Sequence, residues 1–383
     1  MCVSACVDSY SPPVKDSDID YLVIDGFLNS GVGPTTIKLT HTLNIKDGGK
    51  ARVEKGAFLT VEGTDNSKVA LAESQAGVYS ISQLSLKKSE KYRLRVKTVD
   101  NTEYISEYLE VKKTPPIDGV VWSATDEGVQ IDVNTHDSSG NTRYYQWEFE
   151  ETWHYRSEFC TNLQYKNGTI SYMDPYIDIH DCWRNEKPVD KTHIASSFRL
   201  NEDVIYHYPL TFVPAASGKM GVQYSILVRQ HALSKDGYSY YDRLKKNTEQ
   251  LGSIFDAQPS DLTGNFQSIN KEKIAIGFLS IYDIEEKRIF ITKEELPASF
   301  GVLPREYCFQ FTIDSTANYV RELTQYYDAG LILPINPPDS TPMHITLLNI
   351  PYAPKGCVDC RTAAGTNVKP SFWPEINAAL GCF

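Results

Sequence analysis

Short segments in which apolar and polar residues alternate dominate the first part of the chain. Residues 21–28 form a strongly apolar strand, and Thr36 to Leu43 repeat with a period of two, as a half-buried strand does. Roughly seven such segments, separated by turn residues, fit into about 90 residues, which is typical of an immunoglobulin-like or fibronectin-like β-sandwich. Thr114-Pro115-Pro116 ends the pattern and predicts a domain boundary.

The remaining residues, 115–383, predict a larger β-rich domain with one or two helices. Arg143 to Tyr155 form a long aromatic strand, and further strands surround it. One helix is predicted over 239–251, with a capping box from Ser239 to Asp242, and a second over 316–327. The expected fold class is therefore mainly β, with residues 1–19 as a tether, 20–114 as the immunoglobulin-like sandwich and 115–383 as the second domain.

The amino terminus resembles a bacterial lipobox. In Val3-Ser4-Ala5-Cys6, small residues precede a cysteine that would be lipidated and anchor the chain to a membrane. The polar stretch that follows, with Pro12-Pro13, predicts an extended tether. A complete signal peptide also has a charged region and an apolar core before the cysteine, and neither is present here. The alternative is a chance match at an ordinary frayed terminus.

Six cysteines follow Cys6, and an even number in an exported chain predicts structural disulfides. The candidates are Cys160, Cys182, Cys308, Cys357, Cys360 and Cys382. Their pairing is open, although Cys160 with Cys182 closes the shortest plausible loop. Cys357 and Cys360 could instead form a redox or metal pair, but the second pair or histidine partner of a zinc site is missing.

Charge and motifs exclude several classes of function. Lysine and arginine total 38 against 49 acidic residues, so nucleic acid is not an expected partner. No serine elbow, His-Glu-x-x-His, Walker or dinucleotide motif occurs, so no catalytic residue, metal or cofactor is expected. His154 with Asp178-Ile179-His180-Asp181 could supply metal ligands, but solvated strand faces are the favoured interpretation.

Aromatic side chains of the second domain are the candidate ligand contacts, because rings with a polar tip suit sugars and peptides. These candidates are Tyr145, Trp147, Trp153, Tyr172, Tyr176 and Trp183. The chain holds 24 Tyr, 15 Phe and 5 Trp, and the same residues also suit packing in strands and cores. Core or domain-interface packing is the favoured interpretation of these six.

Several short segments of the sequence resemble those of one family. They are residues 224–230, 251–259 and 262–266, together with the tail from Cys357 to Trp373. With the lipobox and the apolar first strand, they are similar to the Bacteroidota lipoprotein family called domain of unknown function 4249. The resemblance implies an outer-membrane lipoprotein whose gene often neighbours a SusC-type TonB-dependent receptor, and it carries no catalytic residues to transfer.

Three hypotheses of function follow from these observations. The first is a non-enzymatic outer-membrane lipoprotein that binds substrate or the receptor beside a TonB-dependent importer, with a glycan or peptide as ligand. The second is a surface hydrolase that uses carboxylates among Glu148, Glu150, Glu151 and Asp178. The third is a structural module for adhesion or envelope assembly.

Overall fold

The structure is a computed structural model, and it describes residues 20–43, 51–189, 191–249, 264–269, 273–300, 308–311, 317–337, 345–347 and 349–375. Cys6, the predicted tether and Cys382 lie outside these residues. None of the described helices has the length and apolar character needed to cross a membrane.

The chain divides into two units, and each is formed by two separate stretches of sequence. Unit 1 comprises Met1–Lys113 and Ala232–Ile284, and unit 2 comprises Thr114–His231 and Glu285–Phe383. The first boundary lies next to the predicted break at Thr114. The second domain, however, was predicted as one continuous stretch over 115–383, whereas 232–284 return to the first unit. The mainly β fold class is confirmed.

Unit 1 is built on one eleven-stranded sheet. Its strands are β1 (Leu22–Asn29), β2 (Thr35–His41), β3 (Phe58–Gly63), β4 (Lys68–Gln75), β5 (Val78–Ile81), β6 (Lys91–Lys97), β7 (Glu103–Ser106), β8 (Leu109–Glu110), β18 (Phe266–Ser268), β19 (Ala275–Ile276) and β20 (Ile281–Tyr282). The order is β18-β7-β6-β3-β4-β5-β2-β1-β19, with β20 paired to β1 and β8 to β6. This arrangement is compatible with the predicted immunoglobulin-like sandwich.

Alternation along the strands explains the core of unit 1. In β2, Thr35, Ile37 and Leu39 are buried while Lys38 between them is exposed. In β6, Leu94 and Val96 are fully buried. Because successive side chains of a strand point to opposite faces, one face of each strand lines the shared core.

The returning segment extends the sheet beside the first strand. β19 pairs with β1 in parallel, with Leu22 opposite Ala275. β19 ends at Ile276, directly before Gly277, which has φ +147° and whose Cβ, if present, would lie 2.1 Å from the carbonyl oxygen of Ile24. Gly264 approaches as closely, since its Cβ would lie 1.4 Å from the carbonyl oxygen of Gly277.

Helix α1 (Lys235–Glu249) begins earlier than predicted. The predicted capping box at Ser239 is wrong, because the Gly237 N–H donates to Ser234 Oγ at 3.0 Å. Ser234 therefore caps the helix. Ser239 lies inside the helix, where its hydroxyl donates to the Lys235 carbonyl at 2.9 Å.

Unit 2 contains the remaining strands and two further helices. The strands are β9 (Ile117–Ala124), β10 (Gly128–His136), β11 (Tyr144–Arg156), β12 (Leu163–Lys166), β13 (Thr169–Tyr172), β14 (Asp181–Glu186), β15 (His193–Ser196), β16 (Val204–Pro214), β17 (Gln223–Ala232), β21 (Glu285–Thr292), β22 (Ile332–Pro334) and β23 (Tyr352–Pro354). The helices are α2 (Ala317–Asp328), close to its prediction, and α3 (Lys355–Val358). A sheet in the order β16-β10-β9 and a sheet in the order β14-β11-β17-β21 contribute to one hydrophobic core.

The long aromatic strand β11 has the alternation that was predicted. Tyr145, Trp147 and Phe149 are buried in the core of unit 2. The Trp147 indole N–H donates to Gln230 Oε1 at 2.9 Å. The Gln230 amide nitrogen in turn donates to the Thr135 hydroxyl, also at 2.9 Å. The buried Gln230 amide therefore has hydrogen-bond partners on two other strands, β10 and β11.

Disulfides connect the carboxyl-terminal part of unit 2. Cys182 pairs with Cys360, Cys308 pairs with Cys357, and Cys160 is also disulfide-bonded. The suggested Cys160–Cys182 pair is wrong, because Cys182, which lies opposite Tyr155 in the register of β11 and β14, bonds to Cys360. Cys357 and Cys360 bond to different partners, so they do not form a redox pair with each other.

Candidate functional site

Unit 1 contains an open cavity of about 640 Å³. This volume lies within the range of about 300 to 1,000 Å³ that is usual for sites that bind small molecules. Both apolar and charged side chains line it. The charged ones are Asp20, His41, Arg52, Glu54, Asp100 and Lys273.

Distant parts of the chain build the walls of this cavity, and one of them carries Arg52 and Glu54. Leu22 begins β1 and His41 ends β2, and the two residues are partners in the register of these strands. Thr98 to Tyr104 come from the connection between β6 and β7 and from β7 itself. Lys273 and Ile274 directly precede β19, and its parallel pairing with β1 places them beside Leu22.

One wall carries a cluster of ion pairs around His41. Its Nδ1 lies 2.6 Å from Asp20 Oδ1, and its Nε2 lies 2.8 Å from Glu54 Oε2. Arg52 Nη2 lies 2.5 Å from Asp20 Oδ2. The side chains of His41 and Glu54 are mostly buried, whereas those of Asp20 and Arg52 are more than half exposed. Asp20 and Arg52 thus form an ion pair on this wall, and the His41 ring lies between the carboxylates of Asp20 and Glu54.

The opposite charges of Asp100 and Lys273 form a second neutral pair. Lys273 Nζ lies 2.5 Å from Asp100 Oδ2, and the Thr98 hydroxyl donates to Asp100 Oδ1 at 2.5 Å. These hydrogen bonds from Lys273 and Thr98 lower the pKa of Asp100 well below its usual range. Asp100 is thus held as a carboxylate in a defined orientation.

Tyr104 brings a hydroxyl group into the charged surroundings of the cavity. The residue is only 5% exposed, and its ring belongs to the core of unit 1. Burial raises its pKa, the charge of Lys273 opposes this, and the carboxylates of Asp100 and Glu54 add to it. Among the residues that the structure describes, none forms a hydrogen bond with this hydroxyl. Because the cavity is open, either water or a bound molecule can form a hydrogen bond with it.

Four of the six predicted ligand contacts are buried in unit 2. Tyr145, Trp147, Trp153 and Trp183 are each at most 7% exposed. Tyr145, Trp147 and Trp153 belong to the core cluster of unit 2. Trp183 stacks on His154 with ring centroids 4.8 Å apart. These four rings pack inside the unit and are not available to a surface ligand.

The two remaining candidates, Tyr172 and Tyr176, are exposed. Tyr172 ends β13 and is 61% exposed, and Tyr176 follows in a segment without regular structure and is 45% exposed. Burial on one side and the charge of Asp178 raise the pKa of Tyr176. The structure therefore does not bring the six predicted residues together into one site.

The candidate hydrolase carboxylates are all engaged by other groups. Lys187 Nζ lies 2.7 Å from Glu148, and Arg229 Nη1 lies 3.3 Å from Glu150. Asp178 Oδ1 accepts the backbone N–H of His180 at 2.8 Å. Each of these carboxylates thus has a structural role.

Glu151 is the most buried of these carboxylates. It accepts the Tyr224 hydroxyl at 2.8 Å and lies 2.8 Å from Lys219 Nζ. Lys219 also stands over the ring of Trp153, with Nζ 4.7 Å from its centroid. Both oxygens of Glu151 are thus engaged, one by Tyr224 and the other by Lys219.

Two of the candidate metal ligands, His154 and Asp181, contact each other instead. His154 Nε2 lies 2.5 Å from Asp181 Oδ1, and Arg156 Nε lies 2.8 Å from the same oxygen. His180 is bonded elsewhere, since its Nδ1 lies 2.9 Å from the Ser157 hydroxyl. No group of three or more metal-ligating side chains occurs in the described part of the chain.

Sequence reasoning missed the cavity of unit 1 for a clear reason. Asp20 and Lys273 are 253 positions apart and share no local pattern, and Asp20 is only the first residue of the predicted sandwich. Tyr104 appeared only as one of many strand tyrosines. No periodicity distinguishes a tyrosine whose hydroxyl faces a cavity from one whose hydroxyl faces bulk water.

Comparison with known proteins gives one positive result. The sequence profile of the family described as domain of unknown function 4249 matches residues 7–288. This range includes all of the described cavity residues. No match was found among curated proteins. Since the profile covers more than half of the chain, the chain belongs to the family of domain of unknown function 4249.

Proposed function

We propose that the protein is a non-enzymatic lipoprotein of the outer membrane that captures a ligand beside a TonB-dependent importer. The observation that carries the binding role is the open cavity of unit 1, which is lined by apolar side chains, by paired charged groups and by the Tyr104 hydroxyl. Pockets that bind small molecules combine apolar walls with a few polar groups of fixed position. This combination supports a binding role.

The disulfides support a location outside the cytoplasm. Cys182–Cys360 and Cys308–Cys357 join segments that are 178 and 49 residues apart in the sequence. Structural disulfides persist in oxidising compartments and are rare in the cytosol. A lipid on Cys6 would hold such an exported chain at the membrane surface.

The hydrolase hypothesis receives less support than the binding role. A glycosidase needs two carboxylates that face one scissile bond, one of them free to donate a proton. Glu148, Glu150 and Glu151 are instead paired with Lys187, Arg229 and Lys219.

Affinity purification from native membranes tests the importer role. Purification of the protein should recover a TonB-dependent receptor, and recovery of none would contradict this role.

The lipid anchor is tested separately. Intact-mass analysis should show a diacylglyceryl group on Cys6. The Cys6→Ser variant should move to the soluble fraction, while a Cys2→Ser variant should stay with the membrane. An unmodified Cys6 in membrane-bound protein would contradict the anchor.

A further inference from the structure

The chemistry of the cavity in unit 1 also indicates which class of ligand it holds. We infer that this cavity binds a small uncharged saccharide, and that the Tyr104 hydroxyl forms a hydrogen bond with one of its hydroxyl groups. The inference rests on the proposed ligand-binding function and adds the substrate class to it.

The charges of the cavity favour a ligand without net charge. Asp20 is paired with Arg52, and Asp100 is paired with Lys273. The third carboxylate of the lining, Glu54, is mostly buried and lies 2.8 Å from His41 Nε2. An anion would meet no unpaired lysine or arginine among the lining residues, and any ion would have to compete with these existing contacts. The cavity therefore offers little attraction to a simple anion or cation.

Charged groups that are already paired can still accept and donate further hydrogen bonds. A carboxylate has about four lone-pair sites and a guanidinium has five N–H donors, so one ion pair leaves several of them unused. More than half of the Asp20 and Arg52 side chains is exposed, so their remaining sites stay accessible. A sugar hydroxyl both donates and accepts, and it can therefore bind to such pairs without breaking them.

The Tyr104 hydroxyl adds a site of fixed position. Its ring is held in the core of unit 1, so the hydroxyl is oriented without the loss of side-chain freedom that a flexible group would suffer. The charges that act on it belong to Lys273, Asp100, Glu54 and Asp20, all of which line the cavity. A ligand hydroxyl that reaches Tyr104 would therefore also meet these groups.

Apolar side chains complete the description of the ligand. Val99 and Ile274 line the cavity and are 68% and 41% exposed, and the ring of Tyr21 lines it as well. Pyranose rings present C–H faces that bury apolar surface of this kind. A ligand with both hydroxyl groups and C–H faces fits this combination of walls better than a purely ionic one.

The test uses a panel of neutral mono- and disaccharides, namely glucose, galactose, mannose, maltose, lactose and cellobiose, with the cation ethylammonium and the anion acetate as charged comparisons. Binding to the purified full chain is followed by saturation-transfer NMR at millimolar concentrations, and Kd is measured for each binder. We expect at least one saccharide to bind, with a Kd that changes by less than about twofold between low and high salt. Binding of ethylammonium or acetate alone, or of nothing in the panel, would overturn the inference.

The decisive variant is Tyr104→Phe, which removes only the hydroxyl. We expect it to raise Kd by about 3- to 10-fold, the usual contribution of one hydrogen bond, while Tm stays the same. Tyr92→Phe is the matched control, because the Tyr92 hydroxyl accepts the Lys87 N–H at 2.7 Å in the same unit and does not line the cavity. It should lower Tm and leave Kd unchanged. Equal Kd values for wild type and Tyr104→Phe would refute the role of Tyr104.

The outcomes separate this inference from the proposed function. Recovery of a TonB-dependent receptor without saccharide binding would remove only the ligand class. Saccharide binding that depends on Tyr104, without any receptor, would support the cavity and contradict the importer role.

Discussion

Replacing Glu62 by glutamine should remove a pH-dependent part of the stability of unit 1. Glu62 on β3 is only 8% exposed in its side chain, and its Oε2 lies 2.7 Å from Arg93 Nη2. Its Oε1 lies 3.1 Å from Arg95 Nε. Burial alone would raise the pKa of Glu62, but the hydrogen bonds from Arg95 and Arg93 outweigh it and lower the pKa from its usual 4.5 to about 2.

The size of the effect follows from this difference in pKa. A folded-state pKa of about 2 against 4.5 in the unfolded chain stabilises the fold by about 3 kcal/mol at neutral pH. Because the pKa is lowered on folding, this stabilisation is complete above pH 4.5 and is lost as the pH falls towards 2. Between pH 7 and pH 3, about 2 kcal/mol of it should disappear.

Urea unfolding of wild type and Glu62→Gln at both pH values checks this prediction. The difference in free energy of unfolding between the two proteins should shrink by about 2 kcal/mol on going from pH 7 to pH 3. A control is Glu110→Gln, whose carboxylate is 62% exposed and lies 3.3 Å from Lys91, and which should change stability by less than about 1 kcal/mol. A difference for Glu62→Gln that is the same at both pH values would refute the reasoning.

Three further substitutions probe other parts of the fold by urea unfolding. Changing Cys182 and Cys360 together to serine should lower the free energy of unfolding by about 3–5 kcal/mol, because this disulfide joins residues 178 positions apart. A loss below about 1 kcal/mol would contradict this prediction. Gln230→Leu should cost about 2–4 kcal/mol, since it leaves buried donors and acceptors without partners, and an unchanged midpoint would show that the amide is dispensable. Asn265→Ala should cost about 2 kcal/mol, because the side-chain amide forms two hydrogen bonds with the Leu279 backbone. The Leu279 amide should then exchange its hydrogen faster, and unchanged exchange would speak against this role.

Local patterns in the sequence predicted the elements that are themselves local. The alternation of Thr36 to Leu43 corresponds to β2, and the aromatic face of Tyr145 and Trp147 corresponds to the buried face of β11. Each of these strands is long enough for the period of two to be visible. Helix α1 was also predicted, although its start was displaced by four residues because Ser234 caps it.

The return of residues 232–284 to unit 1 could not be predicted in this way. Its strands β19 and β20 have two residues each, which is too short for any periodic signal. The sequence of their partner β1 predicts an apolar strand, but it does not indicate which strand pairs with it. The cavity shares this difficulty, since its walls combine Asp20 with Lys273, and only the completed fold brings them together.

The disulfide pairing depends on tertiary structure as well. Choosing the shortest loop assumes that chain entropy decides which cysteines meet. In the folded chain, the strand register decides instead, because Cys182 is fixed opposite Tyr155 and its sulfur meets Cys360 from the far end of the sequence.

The parallel pairing of β19 with β1 also has a consequence for the order of events during synthesis. Leu22 meets its partner Ala275 only after about 250 further residues have been made. At roughly 5 to 20 residues per second, the ribosome needs about 10 to 50 s for this stretch. During that interval, the edge of β1 is open to other chains, and folding of unit 1 has to wait for a segment that is encoded beyond much of unit 2.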